Sequence, residues 1–326
     1  MKILLVSESP VAGTIVRFAN ALNDCCSVTC VPFVLRGYKS NSFDLPLGVM
    51  GIYENWAELL IDEVKKADAI VIHNVADQNI IDLIGVYRQN DCFIGYHYHS
   101  PPFEAPLHDY NVLQSTFLDA VFCVAQGHSR FFENPIAIAN IIEDVNIVPK
   151  AIRGNAVFVG HLRTTDARWS RKVPKDFMPK LAESLKGSPV GVYDIKKTYG
   201  SDSVTNSIFI NGLQRFEYVV DDVCSGLFHQ TSLEALKAGA ISFSAADEIS
   251  LTSFCQAADC PPPPFELVSH PDEVSDKIKF YSKNVFLKDK LRLQNFEYSS
   301  KYLRKERLEK LFIKRLSNVI GLEINR

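Results

Sequence analysis

The chain has 326 residues, which is long for one hydrophobic core and sufficient for two domains of ordinary size. Hydrophobic residues make up 47% of the chain and charged residues 22%, a composition that excludes a disordered or fibrous protein. The 35 basic and 38 acidic side chains give a formal net charge of −3, so the overall charge gives no reason to expect nucleic-acid binding.

The apolar runs of the chain are short. None approaches the roughly 18–20 residues needed to cross a membrane, and the run after Lys2 is too short for the core of a signal peptide. We therefore expect a cytoplasmic protein. The eight cysteines include no CxxC pair and mostly stand in apolar segments, so we expect free, buried thiols.

Short apolar runs alternate with helical segments over the first half of the chain. Strands are predicted at 2–7, 27–35, 69–73, 93–98 and 120–124. Helices are predicted at 14–23, 56–66, 79–88 and 128–133. Such alternation is typical of βαβ units, which form a parallel sheet covered by helices on both faces.

The alternation starts again near residue 150. Strands are predicted at 155–162, 189–195, 207–212, 223–228 and 240–244, and helices at 177–187, 213–222 and 232–238. A proline run then leads into a largely helical segment, 272–326. The predicted fold class is α/β, with two doubly wound Rossmann-like domains facing a cleft, residues 1–150 and 151–326, and a hinge at 147–155.

The segment KYLRKERLEKLFIKRL (301–316) alternates basic and apolar positions, as an amphipathic helix does. We expect this helix to pack back on the N-terminal domain. Peripheral contact with an anionic membrane is the alternative.

Histidines stand at the ends of the predicted strands. Six of the eight lie at or just after a strand end: His73, His97, His99, His128, His161 and His229. Ligands of open parallel sheets bind beyond the carboxyl ends of the strands, so these positions are candidates for a site. No group of residues has the spacing of a metal site, and GxGxxG, GxxxxGK[ST] and GxSxG are all missing, which disfavours dinucleotide, P-loop and serine-hydrolase chemistry.

The stretch FHQTSLEALKAGAISFS (228–244) has two interpretations. In the first it is a capping box, with Thr231 as the N-cap and Glu234 bonding back to the amide of the cap. In the second the amides at the helix start bind a diphosphate, and Glu234 accepts hydrogen bonds from the hydroxyls of a ribose.

The segments CSGLFHQTSLEALKAGAISFS (224–244) and NAVFVGHLR (155–163) resemble signatures of two-domain GT-B glycosyltransferases of the group 1-like class. MKILLVSESP, ADAIVIHN, FIGYHYHS and LDAVFCVAQGHSRFF resemble N-domain segments of that family in the same order, so the resemblance covers nearly the whole chain. It implies a hexosyltransferase-like enzyme of glycan or polysaccharide synthesis. The N-terminal domain would bind a glycan or lipid-linked acceptor, and the C-terminal domain would bind a UDP- or GDP-sugar as co-substrate. No cofactor and no metal ion are expected.

The resemblance assigns roles to matching positions in the nucleotide domain. Glu234 would hold the ribose, and Thr231 and Ser232 would contact the diphosphate through their backbone. Arg163 would neutralise the donor phosphates together with Lys172, for which Arg171 and Arg168 are alternatives. His229 falls in the same donor site, at a position that is commonly glycine.

In the N-terminal domain, the resemblance places His99 beside the donor sugar or its phosphate. One departure concerns stereochemistry: Gly226 stands where many retaining members carry the first of two glutamates. This favours an inverting transfer, which needs a general base, and Glu8 and His99 are the candidates. A nucleotide-sugar epimerase or hydrolase on the same fold and a non-catalytic nucleotide- or glycan-binding protein are the alternatives.

Overall fold

The computed structural model describes residues 1–10, 13–35, 54–74, 78–102, 118–144, 154–160, 171–200 and 204–321. The chain divides into two compact units. Unit 1 comprises Met1–Ile141 with Leu308–Arg326, and unit 2 comprises Ile142–Arg307. The division thus precedes the boundary predicted at residue 150. The hinge expected at 147–155 lies largely outside the described residues.

Unit 1 is built on six parallel strands: β1 (Lys2–Ser7), β2 (Thr29–Val34), β3 (Ala69–His73), β4 (Phe93–Tyr98), β5 (Ala120–Val124) and β6 (Ile136–Ile138). Their order in the sheet is β2-β1-β3-β4-β5-β6. The helices are α1 (Thr14–Cys25), α2 (Trp56–Val64) and α3 (Gln78–Tyr87), with a 3₁₀ helix at His128–Phe131. The bounds of β1, β3, β4 and β5 are those predicted.

The sheet of unit 1 is buried on both faces. In β1, Ile3, Leu4, Leu5 and Val6 are each at most 1% exposed. A central parallel strand excludes water from both faces, so its sequence is a continuous apolar run with a sharp polar end. That is why the bounds of these strands could be read from the sequence.

Unit 2 has five parallel strands: β7 (Gly154–Val159), β8 (Gly191–Tyr193), β9 (Phe216–Val220), β10 (Ile241–Ser244) and β11 (Glu266–Leu267). Their order is β11-β10-β9-β7-β8. The helices are α4 (Phe177–Ser184), α5 (Ile195–Tyr199), α6 (Asn206–Leu213), α7 (Gln230–Lys237), α8 (Glu248–Ala258), α9 (Glu273–Lys283) and α10 (Val285–Tyr302). The two sheets and their helices confirm the predicted α/β class.

Three predictions between residues 207 and 228 are wrong. Residues 207–212 belong to helix α6, residues 216–220 form strand β9 where a helix was predicted, and residues 223–228 form no strand. The Thr205 hydroxyl accepts a hydrogen bond from the Ile208 amide and caps α6. Every residue of β9 is buried between β7 and β10. Short apolar runs are ambiguous between helix and strand, and here the tertiary packing determines the outcome.

The last helix, α11 (Lys305–Ile320), continues into unit 1. Its apolar residues Leu308, Phe312 and Leu316 repeat at a helical interval and are at most 3% exposed. The Phe312 ring stacks on Phe18 of α1 with 4.0 Å between centroids. The amphipathic pattern therefore packs on the N-terminal part of the chain, as predicted, and these three apolar residues are not available to a membrane.

All eight cysteines are free, and Cys26, Cys30, Cys92 and Cys123 are buried. Burial raises the pKa of the Cys123 thiol to about 12, which keeps it protonated and unreactive at neutral pH. Cys224 is exposed, contrary to the expectation for this segment. Within the described ranges, no helix has the length and apolarity that a membrane crossing requires.

Candidate functional site

The helix start in unit 2 does not form the predicted capping box. Helix α7 begins at Gln230, and its N-cap is His229, whose side chain makes no capping hydrogen bond. Thr231 is therefore the second residue of the helix and not its cap. Glu234 is the fifth residue, too far along for the capping-box contact. The observed N-cap therefore lies two residues before the predicted one.

A buried carboxylate from the neighbouring strand end holds this turn. Asp221 follows β9 directly and is 0% exposed. Its Oδ2 accepts hydrogen bonds from the His229 amide at 2.8 Å and from the Ser232 hydroxyl at 2.6 Å. The Ser232 amide donates to the His229 carbonyl at 3.1 Å, so both polar groups of Ser232 are used inside the protein. The helix-start amides of Gln230 and Thr231 have no acceptor within the helix and are the remaining donors of this turn.

A second buried carboxylate, Asp222, organises the loop before α7. Its Oδ1 accepts from the amides of Cys224 at 2.9 Å and Ser225 at 2.8 Å, and its Oδ2 accepts from the Ser225 hydroxyl. The same Oδ2 lies 3.2 Å from Nε2 of His229, whose side chain is 14% exposed. The imidazole is thus oriented at the N-terminus of α7 by a carboxylate with no solvent exposure.

Gly226 lies within this loop and has a φ of 77°. This left-handed region is strained for residues with a side chain, so glycine is the residue that fits. The Gly226 carbonyl accepts from the Asp247 amide at 3.0 Å and the Ser250 hydroxyl at 2.6 Å, which fixes the turn on α8. The position therefore lacks a carboxylate and also has a backbone unsuited to glutamate.

Glu234 is almost completely buried, at 2% exposure. Its Oε1 accepts from the side-chain amide of Gln230 at 2.7 Å and from that of Asn206, on α6, at 3.4 Å. Two neutral amides therefore position the carboxylate.

The end of strand β7 closely approaches the start of α7. The Gly160 amide donates to the Val220 carbonyl at 2.9 Å, and a Cβ at Gly160 would lie 3.9 Å from the methyl group of Thr231. The chain therefore leaves β7 beside Thr231. Arg163 and Arg168, the predicted phosphate ligands in the segment that follows, lie outside the described residues.

Lys172 and Arg171 are in different environments. Lys172 is 3% exposed, and its carbonyl accepts from the Val223 amide at 2.9 Å, which places it against the loop after β9. Arg171 is exposed. The predicted cation Lys172 therefore lies beside the loop that holds His229.

In unit 1, three histidines meet at the carboxyl ends of β3 and β4. His73 pairs with His97 in the register of these strands, and His99 follows β4. Nδ1 of His73 lies 3.0 Å from Nε2 of His99, and the ring centroids of His97 and His99 are 4.1 Å apart. The His99 amide donates to Oδ1 of Asn74 at 3.2 Å, which fixes the chain beyond the strand.

These rings are neutral. Burial lowers the pKa of His73 to about 3. Burial and the neighbouring histidines hold the pKa values of His97 and His99 well below 6.5. His99 retains some exposed surface although its ring lies inside the protein. Neutral imidazole has one N–H and one lone pair, so each ring can act as a base or a metal ligand.

The three rings also form a group of possible metal ligands. Each offers a nitrogen, and the three nitrogens lie within 4.8 Å of one another, a finding that covers only the part of the chain that the structure describes. This group was not predictable from the sequence because two of the ligands come from neighbouring strands, which the register of the sheet brings together. The prediction that no group of residues has the spacing of a metal site therefore does not hold for these three histidines.

Glu8 stands at the same edge of the sheet as these histidines. It directly follows β1 and is half-buried. The hydroxyl of Ser7 lies 2.6 Å from the Ser9 carbonyl and 3.2 Å from the His73 carbonyl, so the ends of β1 and β3 are adjacent. The two predicted base candidates, Glu8 and His99, therefore belong to one edge of unit 1.

The whole chain is similar to solved structures of nucleotide-sugar proteins. HepE from Anabaena, solved with UDP and glucose, matches with a TM-score of 0.65 and 11% identity over 98% of this chain and 100% of HepE. A glycosyltransferase from Rickettsia africae matches with a TM-score of 0.56 and 11% identity over 98% of both chains. The chain has the GT-B fold.

The GT-B likeness extends to a second kind of protein. A UDP-N-acetylglucosamine 2-epimerase matches with a TM-score of 0.54 and 13% identity over 98% of this chain and 97% of the epimerase. No protein-family model and no curated protein sequence matches the chain. Because the structural matches share so little sequence, they establish the fold alone.

Sequence reasoning missed several polar residues of unit 2. Asp221 and Asp222 orient the turn before α7, and Asn206 and Gln230 position Glu234. The available signal was a pair of acidic residues directly after a buried apolar run, FEYVVDD. That signal was hidden because the run was assigned to a helix.

Proposed function

We propose that this chain is a glycosyltransferase that moves a sugar from a nucleotide-sugar donor, a UDP- or GDP-sugar, to a hydroxyl of a glycan or lipid-linked acceptor. The product would belong to glycan or polysaccharide synthesis. The observation that carries the proposal is the start of α7, where helix-start amides, an imidazole held by Asp222 and the buried Glu234 lie on one turn and a half of helix. HepE, which shares the fold, was solved with UDP and glucose.

The donor diphosphate is proposed to bind at the N-terminus of α7. The amides of Gln230 and Thr231 and the helix dipole favour a negative charge there. His229 stands at the cap of the same turn, where its imidazole, held by Asp222, would line the phosphate site. Arg163 and Lys172 are proposed to supply positive charge, so that the departing nucleoside diphosphate is neutralised without a metal ion.

Glu234 is proposed to bind the ribose hydroxyls. Its carboxylate is already positioned by Gln230 and Asn206, so little side-chain freedom is lost when a nucleotide binds. A carboxylate has two oxygens, which can accept from two adjacent hydroxyl donors. This accounts for a buried acidic residue one turn beyond a phosphate site.

An inverting transfer is proposed because Gly226 offers no carboxylate to the donor. A general base takes the proton from the acceptor hydroxyl, the oxygen attacks the anomeric carbon, and the bond to the nucleoside diphosphate breaks. Glu8 is the favoured base. Nε2 of His99, the other candidate, lies 3.0 Å from His73 and is partly engaged.

The second candidate function is a nucleotide-sugar epimerase or hydrolase, favoured by the fold shared with a UDP-N-acetylglucosamine 2-epimerase. It would use the same donor site without an acceptor. Nucleotide binding alone does not distinguish these functions. Turnover of the donor with and without an acceptor does.

The first experiment is a thermal-shift screen with UDP, GDP, CDP, ADP and TDP on the wild type, Glu234→Ala and Glu183→Ala. Stabilisation by one nucleotide, lost in Glu234→Ala and kept in Glu183→Ala, is expected, since Glu183 has a side chain that is 74% exposed on α4. The matching nucleotide sugars are then assayed for acceptor-dependent release of the nucleotide. Release that is independent of acceptor would indicate a hydrolase, conversion of the donor sugar without release would indicate an epimerase, and binding without any turnover would indicate a non-catalytic protein.

A further inference from the structure

We propose that His73, His97 and His99 form a binding site for one divalent transition-metal cation of the zinc class. The site belongs to unit 1 alone. It does not depend on the proposed donor site in unit 2. A metal at these rings makes His99 a ligand and leaves Glu8 as the candidate base.

The distances suit a small cation. Two nitrogens bound to a tetrahedral zinc ion at about 2.0–2.1 Å are separated by roughly 3.3–3.4 Å. Nδ1 of His73 and Nε2 of His99 are 3.0 Å apart, and all three ligand nitrogens lie within 4.8 Å. The most widely separated pair of nitrogens, at most 4.8 Å apart, has to close by no more than about 1.4 Å to reach that spacing.

The backbone holds two of the ligands in place before any metal arrives. His73 and His97 are opposite each other in the β3–β4 ladder at the centre of the sheet. His99 is tied to Asn74 through its amide. A site built on sheet residues is more exact than one built on loops, and metal binding then costs little ordering of the chain.

The ring nitrogens are poorly satisfied without a metal. His73 and His97 are each 1% exposed, and Nε2 of each has no hydrogen-bond partner among the described residues. A buried polar atom without a partner costs free energy. The three rings, with centroid distances of 4.1–5.2 Å, gather several imidazole nitrogens in one buried space. A cation there would accept a lone pair from one nitrogen of each ring, with Nδ1 of His73 and Nε2 of His99 already 3.0 Å apart.

The ligand types select the metal. Imidazole suits zinc, copper, nickel and iron, whereas magnesium and calcium require oxygen ligands. The titratable neighbours of His97 and His99 include two further histidines, His73 and His128. Three neutral ligands leave the double charge of the ion uncompensated, so the fourth position would take a hydroxide or another anion.

An apolar shell covers the site from one side. The ring of Phe18 is parallel to that of His97, with 5.5 Å between centroids. The ring of Phe312 in turn stacks on Phe18, with 4.0 Å between centroids. Such a shell restricts water and strengthens the bonds between ligands and metal. It also explains how a metal would stabilise unit 1 as a whole.

The test uses the full-length protein, stripped with a chelator and gel-filtered. We expect it to bind one equivalent of Zn²⁺, to show the visible d–d bands of tetrahedral Co²⁺, and to melt at a higher temperature when Zn²⁺ is present. His99→Gln should lose more than roughly 100-fold in affinity, because even residues behind the ligands contribute 10–100-fold. His270→Gln is the control, since His270 has a side chain that is 68% exposed.

Cooperative melting of each variant checks that it is folded, and crystals of zinc-loaded wild type locate the ion by anomalous scattering without any variant. Absence of stoichiometric binding to the stripped wild type would overturn the proposal, as would full retention of the site in His99→Gln. If the protein binds zinc but is not stabilised by UDP, the proposed function is contradicted and the proposed metal site is supported.

Discussion

Lys237, at the end of helix α7, is an ammonium enclosed by backbone carbonyls. Its Nζ donates to the carbonyls of Leu303 at 2.9 Å and Ile142 at 3.2 Å, and to Oδ1 of Asp144 at 2.7 Å. The side chain is 6% exposed, whereas that of Asp144 is 63% exposed. Burial lowers the pKa of Lys237, against the neighbouring carboxylate. The lysine therefore joins three segments of unit 2 that are distant in the sequence.

We expect Lys237→Met to destabilise unit 2. Two buried carbonyls lose a donor, at about 1–3 kcal/mol each, which gives roughly 2–6 kcal/mol before compensation. Loss of the exposed Asp144 contact costs little, and removal of a buried charge returns part of the total. The net loss should be about 2–3 kcal/mol, which lowers the melting temperature of a unit of this size by roughly 4–12 °C.

The assay is calorimetric unfolding of the wild type, Lys237→Met and Lys186→Met. Lys186 pairs with Glu183 on the surface, with both side chains more than 70% exposed, and its variant should melt with the wild type. An unchanged or higher melting temperature for Lys237→Met would refute the reasoning. It would mean that the desolvation of the ammonium exceeds the value of its hydrogen bonds.

Three further predictions concern the two candidate sites. Gly226→Ala should lower the free energy of unfolding by about 1–2 kcal/mol, because the residue has a φ of 77°. Gly85→Ala, in a helix with open space around it, should raise it by up to about 1 kcal/mol, and chemical denaturation measures both. Asp222→Asn should weaken the binding of the nucleotide that stabilises the protein about tenfold, because it removes the charge that orients His229. Calorimetric titration measures the affinity, and an unchanged value would exclude a role for this pair in donor binding. In chelator-treated protein, the folded pKa of His73 is about 3, against an ordinary value of 6.5. The stability of the fold should therefore be complete above pH 6.5 and fall as the pH drops from 6.5 toward 3, by about 2 kcal/mol at pH 5 from this residue alone. A stability that is flat between pH 7 and 5 would contradict the burial of a neutral ring.

The sequence was most informative where local pattern and tertiary environment agree. Four strands of unit 1 have the predicted bounds, because strands buried on both faces are apolar throughout and end at polar residues. Between 207 and 228 the two levels conflict. SIFING is apolar enough for a strand, yet the Thr205 cap and the packing of Ile210 and Leu213 make it a helix. Because of that error, a helix was predicted at 213–222, where β9 lies, and a strand at 223–228, where the structure has none.

The sequence indicated which residues lie at strand ends, but not their contacts. His73 ends β3 and His99 follows β4, and residues 231–234 lie at the start of α7. The bonds from Asp221 and Asp222 to the turn before α7 depend on where β9 ends, which the sequence did not resolve. The histidine group depends on the register of β3 against β4, for which the interval between His73 and His97 gives no signal.

The return of residues 308–321 to unit 1 has a consequence for how the chain is made. The N-terminal sheet is synthesised first, but Phe18 acquires its stacking partner Phe312 only after the whole of unit 2 has been translated. During elongation α1 therefore carries an uncovered aromatic surface next to a nearly finished sheet, while unit 2 has all its own residues before the ribosome reaches Leu308. A nascent chain stalled at residue 307 should bind a holdase chaperone through this surface, and completion of the last helix should release it.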